Sequence, residues 1–218
     1  MTCGRSHPIR SWCGTIFEQI PVGPMQNYAY LIGDEKTGIA AVIDPAWDVD
    51  KIIEVAKKKG LRIIYAIHTH HHPDHVCGND EFAEKTGAKI VAHELSSVEK
   101  QLAVKDGDAL SVGSVGIRII HTPGHSPDHI CVLANGKLMT GDALFVGECG
   151  RVDLPGGSAQ QLYDSLFNKL MKLPDDIEVY PGHNYGARPH STIAYEKANN
   201  YVLKPRSLKE FVQFMGEP

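Results

Sequence analysis

Hydrophobic positions recur along this chain with two different periods. Short runs rich in β-branched and aromatic residues predict strands, and apolar residues spaced three or four apart predict helices. The predicted strands cover residues 15–22, 28–33, 40–43, 61–67, 89–92, 115–121, 130–134, 137–140 and 177–180. The predicted helices cover residues 48–59, 78–86, 159–173, 191–199 and 208–215, with Asp48 and Ser158 as N-caps of the first and third.

Strands and helices therefore alternate, with antiparallel hairpins among them. Asn135-Gly136 separates two strand patterns and is typical of a tight hairpin turn. This order predicts an α/β fold with one or two mixed sheets and helices on the outside. The 218 residues contain no evident linker or low-complexity segment, so we expect one domain over residues 1–218.

The composition narrows the range of partners. The chain is 42% hydrophobic and 22% charged and has a formal charge of −4, as ordinary globular proteins do. It lacks a basic cluster and a long apolar run, so we expect neither nucleic acid nor membrane as a partner.

The N-terminus has no apolar core of a secretory signal, and the five cysteines form no C-x-x-C pair. We therefore expect a cytoplasmic protein without disulfides.

A histidine cluster, HTHHHPDH at residues 68–75, directly follows the apolar strand predicted over residues 61–67. We expect a loop here that Pro73 stiffens. Histidines two apart in an extended loop can point the same way, so His70 and His72 could bind one ion. Asp74 and His75 would then face a neighbouring position. Imidazole and carboxylate groups suit zinc, iron or manganese.

Three later segments share one pattern, in which a strand is followed by a short turn and a potential ligand. They are HTPGH ending at His125, LMTGD ending at Asp142 and VYPGH ending at His183. A glycine next to the ligand allows the backbone to turn sharply and approach an ion closely. Each segment alone is a weak signal, but in this order after the histidine cluster they predict a metal centre. His71, His121 and His129 are expected either to support the ligands or to be structural groups.

These motifs resemble the H-x-H-x-D-H…H…D…H pattern of the metallo-β-lactamase-like superfamily, over nearly the whole chain. The resemblance implies an αββα sandwich of two mixed β-sheets, with helices on the outer faces and a metal site at one edge. It also implies two divalent cations, with zinc preferred and iron or manganese as alternatives. The implied ligands are His70, His72 and His125 for the first ion, Asp74, His75 and His183 for the second, and Asp142 as a bridge. A register that begins at His68 would place a histidine where the aspartate belongs.

Within the superfamily, the segments after Asp142 and His183 resemble glyoxalase II-like hydrolases and persulfide dioxygenases. The hydrolase resemblance implies cleavage of a thioester of glutathione or another thiol by a metal-bound hydroxide, which Asp74 would orient. Arg151 and Tyr185 are the implied substrate contacts. A homodimer is also compatible with the sequence.

The dioxygenase resemblance implies a different centre, one Fe²⁺ bound by His70, His125 and Asp142, for oxidation of glutathione persulfide. The CGR segment ending at Arg151 fits the dioxygenases, whereas LPGG at residues 154–157 is more like short hydrolases. Only 35 residues follow His183, fewer than the helical C-terminal region of glyoxalase II requires. A flavodiiron-like redox module is disfavoured, because those proteins carry glutamate at the position of His72. We expect the hydrolase first and the dioxygenase as the alternative.

Overall fold

Two β-sheets of six strands each organise residues 14–216, the part of the chain that the computed structural model describes. The first sheet has the order β1-β2-β3-β4-β5-β6, with strands Thr15–Val22, Asn27–Asp34, Ile39–Ile43, Arg62–Ile67, Lys89–His93 and Leu102–Val104. The second sheet has the order β14-β13-β10-β9-β8-β7. Its strands are β7 Ala109–Val112, β8 Val115–His121, β9 Ile130–Ala134, β10 Lys137–Gly141, β13 Glu178–Pro181 and β14 Ser191–Thr192. A small hairpin pairs β11, Leu144–Phe145, with β12, Glu148–Cys149.

Both sheets are mixed. In the first, β1 to β3 pair antiparallel, and β3 to β6 pair parallel. In the second, β7 to β10 form an antiparallel meander, β10 pairs parallel with β13, and β13 pairs antiparallel with β14. Helices lie in the crossovers from β3 to β4, from β4 to β5 and from β10 to β13, whereas residues 94–101 join β5 to β6 without a helix.

In the described part of the chain, six α-helices accompany the sheets: α1 Val49–Lys58, α2 Pro73–Val76, α3 Asn79–Thr86, α4 Ala159–Tyr163, α5 Ile193–Asn199 and α6 Leu208–Gly216. Short 3₁₀ turns cover Leu170–Lys172 and Tyr201–Leu203. No helix among residues 14–216 is both long and apolar enough to cross a bilayer.

Three apolar layers hold these elements together. The central layer joins the inner faces of both sheets, with Ile32 and Ile67 from the first and Ile119 and Val132 from the second. One outer layer packs α1 and α3 on the first sheet, and the other packs α4, α5 and α6 on the second. The predicted αββα sandwich is therefore confirmed.

Some local expectations were wrong. Asp48 does occupy the N-cap position of α1, but in a left-handed conformation and without a capping hydrogen bond from its side chain, because its Oδ2 accepts instead from the backbone N–H of Gly23 at 3.0 Å. Ser158 does cap α4, accepting from Gln161 N at 3.3 Å. The helix predicted over residues 159–173 is α-helical only to Tyr163 and then widens into a π-helix at Asp164–Lys169.

The histidine cluster is also not a simple loop. Its first residues are extended, but Pro73 opens the one-turn helix α2, which contains Asp74 and His75. Proline suits the first helical position because it needs no hydrogen-bond acceptor there and its φ is already helical. Pro73 therefore begins a short helix where we expected a loop, and Asp74 and His75 lie in that helix.

Candidate metal centre

The segments after four strands of two sheets meet at one edge of the sandwich. The histidine cluster follows β4, His125 follows β8, Asp142 follows β10 and His183 follows β13. Their potential ligand atoms form three overlapping groups, each with all atoms within 4.8 Å of one another. The groups are His70, His72 and His125; His70, His75 and Asp142; and Asp74, His75 and His183. All seven residues predicted as ligands are thus brought together.

Asp142 lies between the two outer groups. Its Oδ2 is 3.6 Å from His125 Nε2 and 3.3 Å from His183 Nε2, and its Oδ1 is 3.4 Å from His75 Nε2. On one side His125 Nε2 is 2.9 Å from His72 Nδ1. On the other side His183 Nε2 is 3.3 Å from Asp74 Oδ2.

The donor atoms fit divalent cations. His70 Nε2 and Asp142 Oδ1 are buried without a hydrogen-bond partner. An unpaired buried polar atom costs free energy, so such atoms are rare unless a ligand satisfies them. A set of neutral imidazole nitrogens and carboxylate oxygens is what zinc, iron and manganese accept. The residues present therefore fit a metal.

The ionisation of the side chains at the centre also favours cation binding. Burial opposes ionisation of Asp74, but the hydrogen bond from His183 and the nearby His75 bring its pKa down to about 2. Burial would lower the pKa of His183, but hydrogen bonds to Asp142 and Asp74 raise it to about 9. His75 likewise has a raised pKa, since Asp142 and Asp44 outweigh its burial. The carboxylates therefore create a field that favours cations.

Asp44 is a supporting residue that the sequence motifs did not identify. It follows β3, and its Oδ1 accepts from the backbone N–H of Thr69 at 2.8 Å. Its Oδ2 accepts from Thr69 Oγ1 at 2.7 Å and from His75 Nδ1 at 3.0 Å. Because the Thr69 hydroxyl donates to Asp44, it accepts from His70 Nδ1 at 3.0 Å. Asp44 thus leaves Nε2 of both His70 and His75 free to bind a metal.

Backbone carbonyls orient two more imidazoles. His125 Nδ1 donates to Arg151 O at 2.8 Å, and His183 Nδ1 donates to Met25 O at 2.9 Å. Because Nδ1 of each ring is bound to a carbonyl, Nε2 is the nitrogen that faces the centre and can bind a metal there. Met25 was not singled out in the sequence, because a backbone acceptor carries no residue signature.

The three histidines expected to have supporting or structural roles differ in what they contact. His129 contacts the backbone of Asp142 directly. His71 lies at the surface of the cleft and hydrogen bonds through Nδ1 to Asp128 Oδ1 at 2.7 Å. His121 bonds instead to Pro127 O and stacks on His93, with ring centroids 4.0 Å apart, so it braces the loop before His129.

A cleft of about 750 Å³ opens over the metal residues. Asp74, Arg151 and Tyr185 all line it, so both predicted substrate contacts lie at the candidate site. The Tyr185 ring stacks on His183, with centroids 4.7 Å and planes 8° apart. The Arg151 guanidinium is bound on one side by Asp153, through Nε–Oδ1 at 2.6 Å and Nη2–Oδ2 at 2.5 Å.

Known proteins share this architecture. The family model of the metallo-β-lactamase superfamily matches residues 22–183. The human mitochondrial persulfide dioxygenase ETHE1 is 35% identical over 197 residues, covering 87% of this chain and 76% of that protein. Hydroxyacylglutathione hydrolase of Rhodospirillum rubrum is 38% identical over 201 residues, covering 88% and 76%.

A solved structure matches more completely. The crystal structure of ETHE1 from Myxococcus xanthus superposes with a TM-score of 0.88 at 37% identity, covering 93% of this chain and 92% of that one. The relatives thus include persulfide dioxygenases and hydroxyacylglutathione hydrolases at similar identity, and they support both interpretations without favouring either. The chain belongs to the metallo-β-lactamase superfamily, and the proteins similar to it there include enzymes of these two kinds.

Proposed function

We propose that this protein is a metal-dependent hydrolase that cleaves a thioester of a small thiol. The observation that carries the proposal is the pair of ligand groups on either side of Asp142, each compact enough for one ion. A centre built this way suits two metals about 3.5–4 Å apart. The mononuclear alternative uses His70, His125 and Asp142 and assigns no metal to Asp74, His75 and His183.

The assignment of ligands follows the two groups. His70, His72 and His125 would hold the first ion, Asp74, His75 and His183 the second, and Asp142 would bridge them. Zinc is the preferred metal, with iron and manganese accepted by the same donors. When bound, such ions lower the pKa of water toward neutrality and polarise an acyl oxygen.

Asp74 is the proposed catalytic residue. Its Oδ2 accepts from Asn27 Nδ2 at 3.1 Å, and its backbone carbonyl accepts from Trp47 Nε1 at 3.0 Å. These contacts fix the carboxylate, while 19% of its side chain stays exposed at the cleft. With a pKa of about 2, Asp74 is ionised at neutral pH and can accept a hydrogen bond from the attacking water.

The relatives support the substrate class. The name hydroxyacylglutathione hydrolase describes cleavage of a thioester, and that enzyme is similar to this chain along most of its length. Tyr185 and Arg151 are the proposed substrate contacts, because both side chains face the cleft beside the metal residues.

Persulfide oxidation is the second candidate. Its support is the M. xanthus ETHE1 structure, which matches almost the full length of both chains. In that case one Fe²⁺ would be bound by His70, His125 and Asp142, which surround part of the same centre. The substrate would be glutathione persulfide, after the activity that the relatives' names state.

Metal content and two assays separate the candidates. The hydrolase should hold two ions per chain and cleave a 2-hydroxyacyl thioester without consuming oxygen. One iron per chain, with rapid oxygen uptake on glutathione persulfide, would overturn the hydrolase. His183→Ala sharpens the test, because His183 serves only the second ion. If the protein is a hydrolase, this variant should lose one metal ion and its thioester cleavage. If the protein is a dioxygenase, the variant should keep its iron and its oxygen uptake.

We further propose that residues 1–218 form a single domain. Support comes from Ile193 and Phe211, which follow the segment matched by the family model and pack in the same core layer as Leu138. A single cooperative unfolding transition is expected, and two separate transitions would contradict it.

A cytoplasmic location fits the free thiols of Cys77, Cys131 and Cys149. The predicted homodimer can be tested by analytical sedimentation of the purified protein.

A further inference from the structure

His71 lines the cleft without belonging to any of the three ligand groups. Its ring lies beside that of the ligand His72, with centroids 5.0 Å apart. Its Nδ1 is 2.7 Å from Oδ1 of Asp128, which also accepts from Ser126 Oγ at 2.7 Å. The Asp128 side chain is 2% exposed, whereas that of His71 is 32% exposed. The imidazole is thus held from its buried side, and its other side faces the cleft.

The charge of Asp128 decides which atom His71 presents to the cleft. Burial opposes ionisation of Asp128, but polar contacts with Ser96, His71 and Ser126 hold its pKa below the usual 3.8. An ionised carboxylate can only accept hydrogen bonds, so Nδ1 of His71 carries a proton and donates it. In the neutral ring Nε2 is then an acceptor, and it has no hydrogen-bond partner among residues 14–216. His71 therefore offers a fixed acceptor to the molecule that occupies the cleft.

The other polar side chains of the cleft are less suited to this contact. Besides the predicted ligands, the cleft-lining side chains with polar atoms are those of His71, Glu148, Cys149, Arg151 and Tyr185. Arg151 can only donate hydrogen bonds, and Cys149 is 7% exposed. Glu148 already accepts from Tyr201. His71 thus combines a free acceptor, a position beside a ligand ring and a buried carboxylate that fixes it.

The proposed reaction brings a substrate group next to this acceptor. The carbonyl carbon under attack must lie over the metal centre, and a hydroxyl on carbon 2 of the acyl group is only two bonds away from it. The thiol half, by contrast, extends away from the centre beyond the sulfur. We propose that Nε2 of His71 accepts a hydrogen bond from the 2-hydroxyl group of a 2-hydroxyacyl thioester and so selects the acyl half of the substrate. This inference rests on the proposed hydrolase function and adds a specificity-determining residue to it.

Two glutathione thioesters that differ only in this hydroxyl test the inference. They are S-lactoylglutathione and S-propionylglutathione, each assayed with the zinc-loaded protein. Each kcat/KM is divided by the ester's uncatalysed hydrolysis rate, because the hydroxyl also makes the carbonyl more reactive. The corrected value should be about fivefold higher for the lactoyl ester, the size of one neutral hydrogen bond. Cleavage of both esters at equal corrected values would overturn this inference alone, whereas cleavage of neither would overturn the proposed hydrolase function.

His71→Asn separates contact with the substrate from support of the ligands. The asparagine amide can take the place of Nδ1 and keep the bond to Asp128, but it has no atom at the position of Nε2. The corrected lactoyl-to-propionyl ratio should fall to about one, while metal content per chain stays that of wild type. His190→Asn, at an exposed histidine that does not line the cleft, is the matched control and should keep the ratio. An equal loss on both esters, or a loss of metal, would show that His71 acts through His72 and would overturn the inference.

Asp128→Asn tests the carboxylate that positions His71. The amide lacks the charge that keeps the proton on Nδ1, so the His71 ring can present an N–H to the cleft at Nε2 instead. The corrected ratio should fall clearly below the wild-type value. Combining Asp128→Asn with His71→Asn should lower it no further than His71→Asn alone, because both changes act on the same hydrogen bond. An unchanged ratio in Asp128→Asn would contradict the assignment of Nε2 as an acceptor.

Discussion

The backbone N–H of Asp142 donates a hydrogen bond to Nε2 of His129 at 3.0 Å. His129 is completely buried, and burial lowers its pKa to about 3, so the ring is neutral. Its Nδ1 carries the proton and donates to Thr122 Oγ1 at 2.9 Å. A neutral imidazole that binds no metal in our assignment therefore fixes the backbone of the proposed bridging ligand.

We expect His129→Ala to weaken metal binding by about 10- to 100-fold, since partners that orient ligands have effects of this size. The lost packing and hydrogen bond should also lower the free energy of unfolding by about 2–4 kcal/mol. Metal titration with a chelator and chemical denaturation measure the two effects. His190→Ala, at an exposed ring stacked on Tyr180, is the control and should change neither. Unchanged metal affinity in His129→Ala would show that His129 does not position Asp142.

Gly150 lies against the backbone of Asp142. A Cβ at Gly150 would be 1.8 Å from Asp142 O, far inside contact distance. Gly150→Ala should therefore displace the loop after β10, lower metal content and destabilise the fold by about 1–3 kcal/mol. Gly116→Ala is a matched control in β8, where a Cβ would meet nothing within 4 Å. Equal metal content in both variants would contradict the tight packing around Asp142.

Asp142→Ala tests the bridging ligand. Removing the carboxylate takes a donor from both proposed ions. Turnover should therefore fall by more than about 100-fold, which is the upper limit for mutations of residues that only hydrogen-bond to metal ligands. Metal content per chain, measured by atomic absorption, should fall as well. Asp175→Ala removes an exposed carboxylate and should preserve both properties. Full metal content and turnover in Asp142→Ala would mean that the bridging ligand is misplaced.

Metal binding should stabilise the protein. Buried ligand nitrogens such as Nε2 of His75 and of His183 lie 3.2 Å apart, and other buried ligand atoms have no hydrogen-bond partner. A cation that binds these atoms only in the folded state therefore stabilises that state. At a free metal concentration of about 1,000 times Kd the gain is about 4 kcal/mol. Thermal unfolding with and without zinc measures it, and Asp142→Ala should show a smaller shift. An unchanged Tm on adding zinc to the metal-free protein would argue against a metal centre.

A buried carboxylate outside the site should control acid stability. Asp34 is 1% exposed and accepts from the backbone N–H groups of Ser114 at 2.7 Å and Lys36 at 2.9 Å. These hydrogen bonds, from Ser114 first, hold the pKa of Asp34 below its usual 3.8. The folded state thus favours the ionised form. The resulting stabilisation is complete above the unfolded pKa and is lost as pH falls through the lower folded pKa.

Asp34→Asn should therefore lower Tm clearly at pH 6, with a difference from wild type that shrinks below about pH 4. Thermal unfolding at pH 6 and pH 3.5 provides the comparison. Asp176→Asn, at an exposed position, should change Tm little at either pH. A constant difference for Asp34→Asn across this range would contradict ionisation as the source of its stabilisation.

The periodicity of the chain was enough to predict the strands that carry the ligands. Apolar, β-branched runs end just before the histidine cluster, His125 and His183, and this local pattern survives folding because both sheets bury it. The pattern failed where a tertiary contact competed with a local one. The Asp48 carboxylate, at the N-cap position of α1, bonds to Gly23 instead of to the first turn of the helix. The helix after Ser158 widens into π geometry beyond Tyr163.

The sequence by itself determined which side chains are available as metal ligands, because imidazoles and carboxylates grouped at the ends of buried strands are typical of metal centres. Only the tertiary structure decided how they are oriented. Asp44 reaches His75 across 31 residues, and the carbonyl of Met25 reaches His183 across 158. It also decided that Asp153 occupies one edge of Arg151. Hydrogen bonds between distant segments depend on the packing of two sheets, and that packing leaves no local pattern in the sequence.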